Sequence, residues 1–416
     1  MYFHENYLTR RPVFMNFSLC PAAFYGSLAE SAVEDGERKT LRRSIEKDDR
    51  EKDDFKKKRQ IVESHTMKTF LKILLTIIVV IVATLVGLIL WLTITEYKPA
   101  AVEPLAVVSR GEAAKTGKEL TLLSWNIGYS GLGAAEDFFM DGGKNNRPKD
   151  KETVYTYLEG IRRTLEESDA DIFFLQEVDQ DSTRSYNVNQ RELLSGDYSS
   201  SSYALNFSCP FVPIPFPPIG KVNSGLLTLT DDLAISSAQR IALTCPFSWP
   251  VRIANLKRCL LVSYVPVEGS DKQLVLVNLH LEAYTEGAGR EAQAKQLLDF
   301  ISSEYKKGNY VIAGGDFNQF FPGSREVYPK TSSDWNTEEI DPSMLPDAGW
   351  SLAYDLSVPT CRSLDKPYDP SDPNTQYYTI DGLILSPNVE MLEVKTLDTG
   401  FRNSDHNPVE LRFILN

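Results

Sequence analysis

The chain has 416 residues, 42% of them hydrophobic, and a formal net charge of −13. That length allows one large domain with extensions or two ordinary ones, with apolar content enough for a sizeable core. From Lys118 onward about 26 Lys/Arg stand against about 42 Asp/Glu, which disfavours nonspecific binding to long duplex DNA but not a small anionic substrate.

The first 66 residues contain a mixed-charge run, ERKTLRRSIEKDDREKDDFKKKRQ, compatible with a solvated helix or disordered chain and with no folded domain. Met67-Lys-Thr-Phe-Leu-Lys resembles a second start followed by a signal anchor, assigned to 67–95. Between Lys72 and Glu96 there is no charge, long enough for a spanning helix of about 20 residues and longer than the apolar region of a cleaved signal peptide. Trp91 sits near its end, where an interfacial aromatic belongs. Lys56, Lys57, Lys58, Arg59, Lys68 and Lys72 precede the span, whereas Lys98 is the only nearby cation after it. Positive flanks stay in the cytoplasm, so the expectation is a single-pass protein of the cell membrane with its N-terminus inside and its large domain outside. Residues 96–118, rich in Pro, Ala, Gly and Lys, read as a flexible linker.

From 119 to 416 strands alternate with a few helices. LTLLSWNIGY predicts a strand, and Glu152 to Ser168 predicts a helix burying Val154, Tyr157, Leu158, Ile161 and Leu165. ADIFFLQEV, SGLLTLT, RCLLVSYVPV and KQLVLVNLHL follow as strands, the last two as a hairpin around Gly269. Arg290 to Lys306 predicts a helix packing through Ala294, Leu297, Leu298 and Ile301. NYVIAGGDF, YTIDGLIL, LEVKTL and VELRFIL complete the strands. Strands outnumber helices and hairpins mix with crossovers, so the expected class is α/β (α+β), a two-sheet sandwich rather than one doubly wound sheet.

This region holds only two histidines, His280 and His406, each closing a polar signature beside an apolar run. Asn126, Glu177, Asp316, Asn318, Asp381 and Asp405 also stand at ends of strands, where a rigid sheet holds a site. Taken singly, each has a structural explanation. Asn126 suits a turn, Glu177 a surface strand end, Gly314-Gly315-Asp316 a tight turn, and Asp405-His406 a loop bonded to backbone amides. Taken together, hard oxygen donors suit Mg²⁺, with Mn²⁺ or Ca²⁺ as alternatives, while the cysteine and histidine spacing offers no zinc site. Cys209, Cys245, Cys259 and Cys361 lie in this domain, either as buried free thiols or in one or two disulfides.

In order, SWNIG, LQEVD, NLHL, GGDFNQ, Ile380-Asp381 and SDHNPV resemble the endonuclease/exonuclease/phosphatase superfamily, the DNase I-like metal-dependent phosphoesterases, over 119–416. The resemblance implies a four-layer α/β sandwich with two packed mixed sheets, hydrolysing phosphate esters with Mg²⁺. It implies Glu177 as principal metal ligand, helped by Asn126 and Asp405. Asp316 would orient or deprotonate the attacking water, and Asn318 would hold that water or a phosphoryl oxygen. His280 and His406 would contact the scissile phosphate, with Asp381 orienting His406. Gln176 and Arg290 lie beside the motifs without an assigned role. Gly128 stands where some DNA-repair members carry an acid, which argues against a repair endonuclease. The Gly-rich, acidic stretch 128–147 and the apolar, proline-rich stretch 206–221 are candidates to shape the substrate pocket or, for the latter, to face lipid.

The expected function is a membrane-anchored phosphoesterase acting on a phospholipid head group or another small phosphate ester. An extracytoplasmic nuclease acting on DNA or RNA is the enzymatic alternative, and a non-catalytic binding module on the same fold is the other.

Overall fold

The computed structural model describes residues 30–283, 288–331, 337–346 and 349–416. It separates into two compact units, Met1–Leu85 and Val86–Asn416. Helix α1 (Glu30–Ile94) begins in the first and ends in the second. The mixed-charge run is helical, with exposed side chains and i,i+4 ion pairs such as Lys58–Asp54 and Arg59–Glu63. Such pairs give an otherwise solvated helix about 0.2–0.5 kcal/mol each. The apolar end of α1 is long and hydrophobic enough to cross a membrane, with a mean hydropathy of 3.2 over its most apolar window.

Among the described residues the second unit carries sixteen strands. They are β1 (Val102–Leu105), β2 (Val107–Val108), β3 (Glu119–Asn126), β4 (Ile172–Asp179), β5 (Ser200–Val212), β6 (Gly220–Thr230), β7 (Ser237–Ala242) and β8 (Cys259–Pro266). Then come β9 (Gln273–His280), β10 (Tyr310–Asp316), β11 (Ser351–Ala353), β12 (Cys361–Arg362), β13 (Tyr377–Tyr378), β14 (Asp381–Leu385), β15 (Val389–Thr396) and β16 (Val409–Leu415). The helices beyond α1 are α2 (Lys151–Ser168), α3 (Gln190–Ser195), α4 (Ala288–Lys306) and α5 (Ser324–Val327).

Two seven-stranded sheets form, ordered β1-β7-β8-β9-β10-β14-β11 and β15-β16-β3-β4-β6-β5-β2. Each is mixed, with one parallel pair: β9 with β10, and β3 with β4. Each parallel pair needs a crossover, supplied by α4 and α2, so two βαβ units of unrelated sequence face each other across the sandwich. One core lies between the sheets, joining Leu122, Phe174 and Leu411 to Leu276, Ile312 and Leu383. A second lies under α2, joining Trp125 and Phe173 to Ile161 and Leu165. A third lies under α4, joining Val275 and Val277 to Leu297 and Ile301. The architecture is therefore the expected four-layer α/β sandwich.

The buried face of α2 is the predicted set Val154, Tyr157, Leu158, Ile161 and Leu165, and Asp150 caps its first turn by accepting from the Thr153 amide. β8 and β9 form the antiparallel hairpin expected around Gly269. One expectation changes. The 96–118 stretch is not free linker. β1 pairs with β7 and β2 with β5, and Ala114 bridges to Val267. Short extended pieces here satisfy their amides by borrowing sheet edges, a long-range effect that local composition does not reveal. Gly314 and Gly315 lie within the expected strand, now β10, between β9 and β14, and not in the tight turn that was their structural alternative.

Candidate active site

Strand pairing sets the site. His280, Asp316 and Asp381 are register partners in one row across β9, β10 and β14. Asn126 closes β3 in the other sheet, opposite Gln176 on the parallel strand β4. The parallel strands of both units thus end at the same place, where open α/β sheets usually bind ligands. His406 and Asp405 arrive on the loop before β16, held by Ser404 Oγ on the Asn126 carbonyl (2.7 Å) and by the Trp125 indole on the His406 carbonyl (2.8 Å).

Seven of the eight predicted residues line one cavity of about 540 Å³: Asn126, Glu177, His280, Asp316, Asn318, Asp405 and His406. The eighth, Asp381, stands behind His406, with Oδ2 2.8 Å from Nδ1. Asn126 Nδ2 donates to Asp316 Oδ2 at 3.0 Å and approaches Glu177 Oε1 at 3.5 Å. His280 Nε2 is 3.3 Å and His406 Nε2 3.8 Å from Asp316 Oδ2. The Asn318 amide N–H donates to Asp316 Oδ1 at 2.9 Å, and its side chain donates to the Leu281 carbonyl at 3.0 Å.

Backbone irregularity aims two of these groups. Glu177 has φ +57° and sits in a register shift of β4 between Leu175 and Val178, which turns its side chain out of the strand's alternation. Asn318 has φ +51°. Left-handed non-glycine residues are costly and persist where their surroundings impose them, often at working sites. Gly315, at φ +142°, leaves room that a side chain would take, since a Cβ there would lie 2.0 Å from the Leu279 carbonyl oxygen.

The two imidazoles are driven apart. Burial lowers the His280 pKa well below its usual value, reinforced by the charges of Arg258 and His406. Burial opposes the charge of His406 as well, but Asp381, Cys361 and Asp405 outweigh it and raise its pKa well above the ordinary range. These opposite directions favour the charged form of His406 and the neutral form of His280. Burial, with the charge of Asp381, lifts Asp316 to about 7. Burial also raises Asp405, with Glu177 adding to the effect. Carboxylates crowded in this way suit a divalent cation, and Glu177, Asp405 and Asn126 carry oxygen donors of the kind a hard ion takes.

Sequence reading missed several lining groups. Tyr129, Phe138, Met140 and Asp141 come from the 128–147 insertion, which does shape the cavity. Burial and then Asp405 raise Asp141 to about 7. Arg184 holds Asp179 at 3.0 Å, approaches Glu177 at 3.9 Å, and stacks on the Tyr129 ring at 3.7 Å. Arg362, 1% exposed, and Cys361, whose thiol burial pushes to about 12, also line it. These sit in loops, single helical turns and the two-residue strand β12, too short to show periodicity, and only distant chain contacts make them neighbours. Three cations close together in the sequence, Arg252, Lys257 and Arg258, divide. The first two bind Glu96 at 2.9 and 3.3 Å, while Arg258 faces the cavity 3.6 Å from Glu282, with Nε and Nη1 lacking hydrogen-bond partners. Gln176 is interior, donating to Asn278 at 2.8 Å, and Arg290 donates to the Ala283 carbonyl at 3.0 Å. Cys209, Cys245, Cys259 and Cys361 are all unpaired.

The family model described as "Endonuclease/Exonuclease/phosphatase family" matches residues 123–406, and the chain belongs to that family, a class of metal-dependent phosphoesterases. Among solved structures, it is similar to an endonuclease/exonuclease/phosphatase from Beutenbergia cavernae, at 17% identity, 72% of each chain covered, and a TM-score of 0.48. Truncated Caenorhabditis elegans TDP2 also matches, at 17% identity, with 72% of this chain and 98% of that one covered and a TM-score of 0.43. So does the human Nocturnin catalytic domain with bound sulfate, at 17% identity, 75% and 97% covered, and a TM-score of 0.44. No curated protein matches the chain.

Proposed function

We propose that the chain is a membrane-anchored, Mg²⁺-dependent phosphoesterase of lipid or other small phosphate esters, with its active site outside the cytoplasm. The observation that carries the reading is the single cavity joining Glu177, Asp405 and Asn126 to Asp316 and two oppositely tuned histidines.

A divalent ion on Glu177, Asn126 and Asp405 supplies charge for the phosphoryl oxygens and the leaving group. The remaining steps belong to side chains. Asp316, bonded by Asn126 and the Asn318 amide, is held to orient the attacking water and take its proton. With a pKa lifted towards neutrality, it is a stronger base than an exposed carboxylate. Cationic His406, supported by Asp381, stabilises charge growing on a phosphoryl oxygen. Neutral His280 donates a hydrogen bond to the same group without adding a second buried cation.

The anchor reading rests on the uncharged stretch of α1 and on the cation excess before it. The substrate reading rests on acidic composition and on the apolar wall of Phe138, Met140, Phe207 and Ile219 beside the polar groups. The test is hydrolysis by the detergent-solubilised full chain of bis-p-nitrophenyl phosphate, phospholipids, inositol phosphates and plasmid DNA, each with Mg²⁺, Mn²⁺ or EDTA. Hydrolysis unaffected by EDTA refutes the metal. Plasmid degraded faster than any small or lipid ester makes the protein a surface nuclease.

A further inference from the structure

The apolar wall of the cavity and the exit of α1 share one cluster. Leu92, 3% exposed, packs with Val212 and Ile253, and Phe207 and Ile219, which line the cavity, pack against the same group. Two segments project from this cluster. One is the tip of the β5–β6 hairpin, residues 213–219, where Ile214 is 71% and Phe216 96% exposed. The other carries Trp249 and Val251, 55% and 57% exposed, with the Trp249 indole donating to Thr93 Oγ1 in the last turn of α1 at 3.1 Å.

Exposed apolar side chains of this size, grouped rather than scattered, mark an interaction surface. The position of α1 indicates what covers it. A helix that crosses a bilayer and ends at Ile94 brings the membrane interface to the level of Thr93, since the helix rises only about 1.5 Å per residue. Trp249, bonded to Thr93, then stands where indole rings are favoured. The exit is fixed, because Glu96, its side chain 1% exposed, is held by Arg252 and Lys257. The tip is stiffened by Pro213, Pro215, Pro217 and Pro218 and tied to the cavity insertion by Asn146 Nδ2 on the Pro217 carbonyl. Little ordering entropy is then lost when it inserts.

We propose that the 213–219 tip and the Trp249–Val251 segment form a bilayer-inserting surface at the exit of α1, through which the cavity takes phosphoester lipids from the membrane that holds the protein. This rests on the anchor and phosphoesterase readings above.

The experiment uses the full chain reconstituted into phosphatidylcholine vesicles with Mg²⁺, as wild type, as the double variant Ile214→Asp with Phe216→Asp, and as Trp249→Phe. Turnover of vesicle phospholipid and of bis-p-nitrophenyl phosphate is measured on the same samples. The expected result is a loss of about tenfold or more in lipid turnover for the double variant, with the small diester unchanged. Phosphatidylcholine brominated near the head group is expected to quench a fluorescence component that Trp249→Phe removes. Equal loss on both substrates, or loss on neither, overturns the proposal. So does a double variant that changes only the oligomeric state, which assigns the tip to a second copy. A wild type that extracts from vesicles in alkaline carbonate overturns it through the anchor reading. A wild type inactive on both substrates overturns it through the phosphoesterase reading, and one active on the diester alone overturns the lipid substrate by itself.

Discussion

Asp381 favours the charged form of His406 from 2.8 Å away, whereas among the described residues the His280 ring faces the carboxylate of Asp316 at 3.3 Å. Replacing either imidazole by alanine is expected to lower kcat by about 10²-fold or more, because each supplies stabilisation in the transition state. Asp381→Asn should reproduce only part of the His406→Ala loss, since it weakens the charge but keeps the ring. Full activity in both histidine variants would make the two rings structural. Glu177→Gln is expected to raise the Mg²⁺ concentration for half-maximal activity more than any other single site substitution, because it removes the carboxylate that the β4 irregularity presents and that the proposed reading assigns to the ion. A Mg²⁺ titration unchanged from wild type would remove Glu177 from the ion. The crowded acids also predict a pH effect on stability. Asp316 and Asp141, both raised to about 7, bind a proton more tightly folded than unfolded. Their contribution is complete below the unfolded carboxylate range and is lost as pH rises through about 7. His280, lowered by burial, acts in the opposite direction until its unfolded imidazole has lost its proton, and drops out above about pH 7. Without divalent ion, the melting temperature should therefore fall between about pH 7 and pH 8, and saturating Mg²⁺ should flatten the fall. A metal-free Tm that rises over this window would contradict the crowding.

Among the elements, β10 is tightly constrained. Its glycines sit between two strands, and a Cβ on Gly314 would lie 2.7 Å from the Gly382 carbonyl oxygen. Gly315→Ala adds a collision with the Leu279 carbonyl and a φ that alanine disfavours. The expected cost is about 2–3 kcal/mol of stability together with lost activity, because β9 must shift and carries His280 with it. Urea unfolding within about 0.5 kcal/mol of wild type would show that the strands have slack. The strand-end position of Asp316 was legible in VIAGGDF, and α2 was legible down to its buried face. The strand itself was legible too, but not the role of its two glycines, because only pairing on both sides reveals the close backbone approach they permit.

For the whole molecule, the cation excess before the apolar stretch of α1 predicts that the second unit lies outside the cell membrane. Protease added to intact cells should remove the 119–416 region and spare the segment before the span. Complete protection of that region would reverse the orientation. Net charge favours the same substrate preference as the cavity wall, since an acidic surface gains nothing from releasing counterions of a long polyanion. Arg184, Arg258 and Arg362 nevertheless concentrate positive charge inside the cavity, where it attracts a phosphate group without making the surface basic.

By itself the sequence determined the two-sheet class, the long apolar helix and the eight polar residues, because periodicity and motifs are local properties of a chain. The pocket around those residues was decided by tertiary structure. The row His280–Asp316–Asp381 exists through strand register, and the Arg252–Lys257–Arg258 cluster divides between Glu96 and the cavity. Even the opposite tuning of two similar histidines depends on which charged groups fold against each ring. Electrostatics and burial act through space, so their outcome is set by neighbours that are remote along the chain.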